Sequence, residues 1–211
     1  MEDLIIIGAG GLGREVEWMI NRINSVGERK QWNLLGYADD TMEINTKVGK
    51  SKVCCNIQEL ENIDKKINVV IAIGNSQARK NIYEELKKNS NIKYPNIIDP
   101  NAILGDVELG IGNIICAGVI ATVNIKLGNF ILINLSCTIG HDDILGNFTT
   151  INPSVNISGN VETGECIEIG TGTQIIQKKK ICSNVIIGAG AVIVKDIVEE
   201  GTYIGVPAQK K

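Results

Sequence analysis

Residues 127–157 read LGNFILINLSCTIGHDDILGNFTTINPSVNI, with an aliphatic residue at every sixth position: Leu127, Ile133, Ile139, Leu145, Ile151 and Ile157. The same phase runs back through Ala121, Ile115, Leu109 and Ile103 to Ile97. It runs on through Thr163, Ile169, Ile175, Ile181 and Ile187 to Ile193, so fifteen of seventeen positions are Ile or Leu. A helix of about 3.6 residues per turn cannot keep a six-residue period on one face. Short parallel strands joined by tight corners can, with one aliphatic residue per strand pointing inward. Gly follows the inward residue at Gly110, Gly128, Gly140, Gly146, Gly164, Gly170 and Gly188. A branched residue often returns four places after it, as at Val119, Ile125, Ile131, Val155, Val161, Ile167 and Val185.

The composition fits a narrow solenoid core: aliphatic content is high and aromatics are only 4% of 211 residues. A net charge of −3 supplies no basic field for nucleic acid or anionic lipid. The run Lys178–Lys180 reads as a solvated corner. No signal peptide is visible, since the apolar run Leu4–Ile7 meets Gly8 at once, and no stretch approaches the roughly 20 apolar residues of a membrane span. The six cysteines show no CxxC spacing and read as free thiols of a cytoplasmic protein.

The first 95 residues have a different texture and form a first domain, with 96–211 as the second. Leu4–Ile7 is an apolar strand, followed by GAGGLG and by a helical pattern with Val16, Ile20 and Ile23 on one face. Leu34–Ala38 is a second strand ending at Asp39 and Asp40. Ile67–Ile73 is a third, ending at Gly74 and Asn75, and Ser76 is a plausible N-cap for a helix with Ile82 and Leu86 inward. Continuous apolar strands alternating with helices argue a small parallel α/β domain. Gly8, Gly10 and Gly13 sit between strand and helix, where glycines let backbone N–H groups approach a phosphate at a positive helix end. Asp39 or Asp40 could bond a ribose hydroxyl. Two other readings stand beside this one: a tight turn without a ligand, and dinucleotide binding, against which no dehydrogenase-like domain follows.

His141 is the single histidine. On its own it reads as an ordinary corner residue. Asp142 follows directly, however, and Asp143 is next. A neighbouring carboxylate can keep one ring nitrogen protonated and leave the other as a base near neutral pH. Residues eighteen apart should stack one coil apart, at about 4.8 Å. Gly159 therefore lies beside His141, and its amide is a candidate donor to an oxyanion; the plainer reading is a turn glycine. A single histidine cannot build a three-histidine zinc site, so no metal site is expected.

Five segments carry a resemblance that covers most of the chain: LIIIGAGGLGREV, GYADD, VVIAIGN, IGHDDILGNFTTINPSVNISGNV, and IGAGAVIVKDI with GVPA. They are similar to the hexapeptide-repeat bacterial sugar acetyltransferases, which carry a small nucleotide-binding domain before the repeats. The group includes nucleotide-sugar amine N-acetyltransferases and proteins labelled sialic acid O-acetyltransferases. The resemblance implies a Rossmann-like parallel-sheet domain followed by a left-handed parallel β-helix, a homotrimer, and acetyl-CoA held between adjacent solenoids. It implies His141 as general base, Asp142 orienting it, and Asn134 placing the acceptor amine. The Gly159 amide would contact the acetyl thioester, and the stacked Thr171 and Ala189 would offer amides to the pantetheine arm. Gly8, Gly10, Gly13, Asp39, Asp40, Gly74 and Asn75 would line a nucleotide-sugar site. Many members carry a second histidine nine residues after the base, near the acetyl group; here that position is Thr150, whose hydroxyl can still donate.

The leading expectation is acetyl-CoA-dependent N-acetylation of a nucleotide-linked 4-amino-4,6-dideoxy sugar by direct attack. No cysteine sits in a recognisable nucleophile motif, which favours the direct route. The alternatives are O-acetylation of sialic acid or a related sugar, and a non-catalytic trimeric binding or scaffold protein.

Overall fold

The computed structural model describes residues 1–27 and 29–211. The chain divides into two compact units, Met1–Gly74 with Ala78–Pro100, and Asn75–Gln77 with Asn101–Lys211.

The first unit is built on a sheet of order β3-β4-β2-β1-β5-β6. Its elements are β1 (Glu2–Ile7), α1 (Gly11–Val26), β2 (Trp32–Ala38), β3 (Lys47–Val48), β4 (Ser51–Cys55), α2 (Ile57–Glu61), β5 (Ile67–Ile71), α3 (Ser76–Leu86) and β6 (Ile92–Lys93). β1 pairs in parallel with β2 and β5, which brings Ile7 opposite both Ala38 and Ile71. The carboxyl ends of three adjacent strands therefore converge, and that is where an open parallel sheet binds ligands. Leu4–Ile7 and Ile67–Ile71 are buried along their length, as strands covered on both faces must be. α1 buries Val16, Met19 and Ile20, with Ile23 half-buried. It also buries Glu17, whose carboxylate accepts from the Tyr37 hydroxyl at 3.0 Å, the Lys50 amide at 3.0 Å and the Ser51 hydroxyl at 2.5 Å.

The second unit is a left-handed parallel β-helix. Strands of two or three residues fall into three sheets, and every third strand shares a sheet. Ile115, Ile133, Ile151, Ile169 and Ile187 stand opposite one another at eighteen-residue intervals. All are 1% exposed or less, so each contributes about 1.5–3 kcal/mol of apolar burial. The chain turns by a device invisible to a hydropathy pattern. The residue three places after the inward one has φ between 54° and 75° at every corner from Gly112 to Gly190, that is at 112, 118, 124, 130, 136, 142, 148, 154, 160, 166, 172, 178, 184 and 190. Ten of these left-handed positions are not glycine, although that conformation costs an L residue about 1–2 kcal/mol. The usual right-handed crossover arises from twisted strands feeding a helix. Two-residue strands joined through a single left-handed residue have neither.

The glycines that follow inward residues have a separate cause. At Gly128 an added Cβ would lie 2.9 Å from the Asn147 amide nitrogen, and at Gly140 2.7 Å from the Ser158 carbonyl carbon, both on the next coil. One expectation fails. Ile103 is 62% exposed, and Leu104 stands opposite the inward Ala121. The corner Gly105–Asp106 is one residue shorter than its counterpart Thr122–Asn124, so Leu104 takes the inward place instead of Ile103, while Ile97 before it is fully buried. At the other end Gly201–Ile204 does not leave the solenoid. It pairs in parallel with Val185–Ile187 and folds back on Gln209–Lys210.

Candidate active site

The glycine loop separates into two glycines that packing requires and two that it does not. Gly8, at φ +97°, has no room for a side chain, because a Cβ would lie 2.6 Å from Ile73 Cδ1 and 2.9 Å from the Ala72 carbonyl oxygen. A Cβ on Gly13 would run into the Gly8 carbonyl. At Gly10 and Gly11 nothing lies within 4 Å of the Cβ position. Gly10 is the N-cap of the sixteen-residue helix α1, and no side chain caps that end. The positive end of the helix is thus left without a side-chain cap among the described residues.

Asp39 closes the loop from the neighbouring strand. Its Oδ2 accepts from the Ala9 amide at 2.8 Å, and its Oδ1 accepts from the Thr41 amide at 2.8 Å and the Thr41 hydroxyl at 2.6 Å. Partial burial pushes the carboxyl upward, but the Thr41 hydroxyl and the Ala9, Thr41 and Met42 amides outweigh it and hold the pKa below the ordinary value. Asp40 is exposed and accepts from the Ile57 amide at the start of α2 at 2.9 Å. Gly74 follows β5 with open space at its Cβ position, and its carbonyl accepts from the buried Arg79 at 3.1 Å. Five of the expected nucleotide-site residues therefore lie at the converging ends of β1 and β2, with Gly74 just beyond β5. Asn75, next in the chain, groups with the second unit. There its side chain donates to Glu168 Oε1 at 2.8 Å, beside the Ser76 amide at 2.9 Å.

The corner that carries His141 lies in the second unit. His141 Nδ1 is 2.7 Å from Asp142 Oδ2, and both side chains are solvent-accessible. Asp142 occupies a left-handed corner at φ +63°. Its Oδ1 accepts from Asn124 Nδ2 at 2.5 Å, and Asn160 Nδ2 lies 3.4 Å from Oδ2. The Asn124 amide first, then the His141 ring, hold the Asp142 carboxyl below its ordinary pKa. An ionised carboxylate accepts, so Nδ1–H is the donor of this pair, and in the neutral ring Nε2 is the nitrogen with the lone pair. Gly159 is stacked on the imidazole as the eighteen-residue spacing requires: a Cβ there would lie 2.5 Å from both Cε1 and Nε2 of His141. Among the described residues the Gly159 N–H donates no hydrogen bond.

Asp143 is wholly buried, at the inward position where most coils carry a branched aliphatic residue. Burial raises its pKa to about 7 despite the Val161 and Gly140 amides, which donate at 2.8 and 3.1 Å. The carboxylate thus ties the His141 corner to the Gly159 corner from inside.

The other expected residues are more scattered. Asn134 uses its Oδ1 to accept from the Leu135 amide at 2.8 Å. Thr150 is 3% exposed and stands opposite Leu132 and Glu168. Thr171 and Ala189 are exposed, and the Thr171 carbonyl accepts from the Gly190 amide at 2.8 Å, one coil on. Sequence reasoning missed Asn124 and Asn160. The signal was present, since each is eighteen residues from Asp142. It also passed over Glu168, which stands eighteen residues after Thr150 and holds the Asn75 side chain. Among the described residues no group of three His, Cys, Asp or Glu side chains could hold a metal ion, and no helix is long and apolar enough to cross a membrane.

Comparison with known proteins meets this geometry from three sides. Residues 3–86 match the family model for the PglD N-terminal domain. The chain is 27% identical over 187 residues to GDP-perosamine N-acetyltransferase of Escherichia coli O157:H7, covering 88% of this chain and 82% of that one. Among solved structures it resembles the acetyltransferase domain of PglB from Neisseria gonorrhoeae FA1090 in complex with acetyl coenzyme A, at TM-score 0.89 and 30% identity over 100% of this chain and 99% of that one. It also resembles PerB from Caulobacter crescentus in complex with CoA and GDP-perosamine, at TM-score 0.88 and 27% identity over 100% and 98%. With both halves of the architecture matched end to end, the chain belongs to the hexapeptide-repeat sugar acetyltransferases.

Proposed function

We propose that this protein transfers the acetyl group of acetyl-CoA to the amine of a nucleotide-linked 4-amino-4,6-dideoxy sugar. The observation that carries the proposal is the corner where Asp142, His141 and Gly159 stack within contact of one another. Relatives alike over nearly their whole length hold acetyl-CoA, or CoA with GDP-perosamine, an amino sugar on a nucleoside diphosphate. The first unit supplies the nucleotide site: the pyrophosphate meets the open start of α1 at Gly10, against the floor made by Gly8 and Gly13, and Asp40 faces the ribose. Asn134 sets the acceptor amine, and the exposed Thr171 and Ala189 contact the cosubstrate.

The chemistry is direct. The sugar amine attacks the thioester carbonyl, and His141 Nε2 takes the proton the amine sheds. The Gly159 N–H, which has no competing acceptor, donates to the oxyanion of the tetrahedral intermediate. Collapse expels the CoA thiolate, which recovers a proton from the imidazolium. Asp142 holds the Nδ1 tautomer throughout and stabilises the charged ring. The assembly is proposed as a homotrimer in the cytoplasm.

His141→Ala tests the role. Removal of a general base costs about 10²–10⁴ in turnover, while nucleotide-sugar affinity in the first unit stays within about twofold of the parent. Undiminished thiol release would remove His141 from the mechanism.

A further inference from the structure

The corner column that contains Asp142 also contains Asn124 one coil before and Asn160 one coil after. All three are left-handed, at φ +54°, +63° and +61°. Asn124 donates to one carboxylate oxygen at 2.5 Å, while Asn160 approaches the oxygen that already faces His141. The carboxylate is therefore gripped from both neighbouring coils at an exposed corner, where water would otherwise solvate it freely. Asparagine suits the position on two counts: it tolerates the left-handed conformation, and its amide donates without adding charge. The titratable groups acting on Asp142 are His141 and the buried Asp143; Lys178 occupies the next corner of the column beyond Asn160.

We infer that Asn124 and Asn160 are positioning residues for acetyl transfer: they fix the Asp142 carboxylate so that it orients the His141 ring. The inference rests on His141 being the base. With the amides gone, the carboxylate is free to turn and is more basic. It then holds the imidazolium more tightly and aims Nε2 less well. Asn124 is the stronger of the two, because its bond is the shorter and it is the leading cause of the lowered Asp142 carboxyl.

The test is Asn124→Gly, which removes the amide while keeping a residue at ease at φ +54°. Thiol release is measured across pH 5.5–9 in the full-length protein with acetyl-CoA and an accepted nucleotide-amino sugar. The expected result is a kcat lower by about five- to twentyfold, KM values for both substrates within about twofold, and an acidic limb moved to higher pH by roughly half a unit. Asn124→Ser, which keeps a shorter donor, should recover part of the loss, and it serves as the working variant should the glycine protein melt below the assay temperature. A purely structural ladder would lower the melting temperature and leave kcat and the pH profile of the folded enzyme alone; that result overturns the inference. His141→Ala run alongside separates the failures. If it is silent while Asn124→Gly is unchanged, only the positioning role falls; if it is fully active, the site falls with it.

Discussion

Gly159→Ala tests the stacked corner with one methyl group. An alanine Cβ would lie 2.5 Å from His141 Cε1 and Nε2 and 2.8 Å from Cδ2, where ordinary contacts begin at 3.4 Å. Nothing in the backbone of Gly159 forbids alanine, because its φ lies outside the left-handed range. The imidazole, on the exposed side of the contact, must give way by roughly 1 Å, and a misplacement of about 1 Å costs on the order of 10²-fold in rate. That is about 2.7 kcal/mol of transition-state stabilisation. Ring and methyl both lie outside the solenoid's interior, so the melting temperature should move by no more than a few degrees. The assay is colorimetric thiol release under saturating substrates, with acetyl-CoA affinity measured separately. A variant within threefold of the parent in kcat would refute the reasoning, because the base would then be working from somewhere other than the face of Gly159.

Asp143→Asn should change how stability depends on pH. The folded carboxyl has a pKa near 7, well above the unfolded value of about 3.9, so the folded state binds the extra proton between the two. The stabilisation is fully present below about pH 4 and is lost as pH rises to 7, at about 1.4 kcal/mol per unit, or roughly 4 kcal/mol in all. The amide of the variant does not titrate. Denaturant titrations at pH 5 and pH 8 should therefore show the wild type losing about 2–3 kcal/mol more than the variant, the share of that loss falling between pH 5 and 7; equal losses would contradict it. In the nucleotide loop, Gly13→Ala drives a methyl into the Gly8 carbonyl and should lower both melting temperature and nucleotide-sugar affinity. Gly10→Ala meets nothing within 4 Å and should weaken the nucleotide alone. Calorimetric titration and a thermal melt on both variants distinguish the cases, and equal behaviour would contradict the division of labour.

Much of this was legible because a solenoid repeats. A period of six fixed the strands, and a stacking distance of eighteen residues placed Gly159 on His141. The same arithmetic applied to Asp142 points at Asn124 and Asn160, so those residues were readable though unread. The left-handed corners were not readable, because Phe130, Ser136, Cys166 and Lys178 share no property that hydropathy records; their conformation is imposed by closure of the coil. The slip at Ile103 escaped because one residue missing from a corner leaves the spacing of the aliphatic residues untouched. In the first unit, β3, β4 and α2 lay in the unassigned stretch between Asp40 and Ile67. Asn56 and Glu59 do carry the N-x-x-E spacing of a capping box, and it forms, with bonds of 2.8 and 3.0 Å. Asn75 was expected at the nucleotide because the family resemblance implies it. Its partner proves to be Glu168, a residue ninety-three positions away.

The most direct test of the central claim is thiol release from acetyl-CoA by the full-length protein, against GDP-, UDP- and dTDP-linked 4-amino-4,6-dideoxy sugars and free sialic acid. The predicted result is release with a nucleotide-linked amino sugar, abolished in His141→Ala, and an N-acetylated product. Release with sialic acid alone, or with none of the amino sugars while acetyl-CoA still binds, would contradict it.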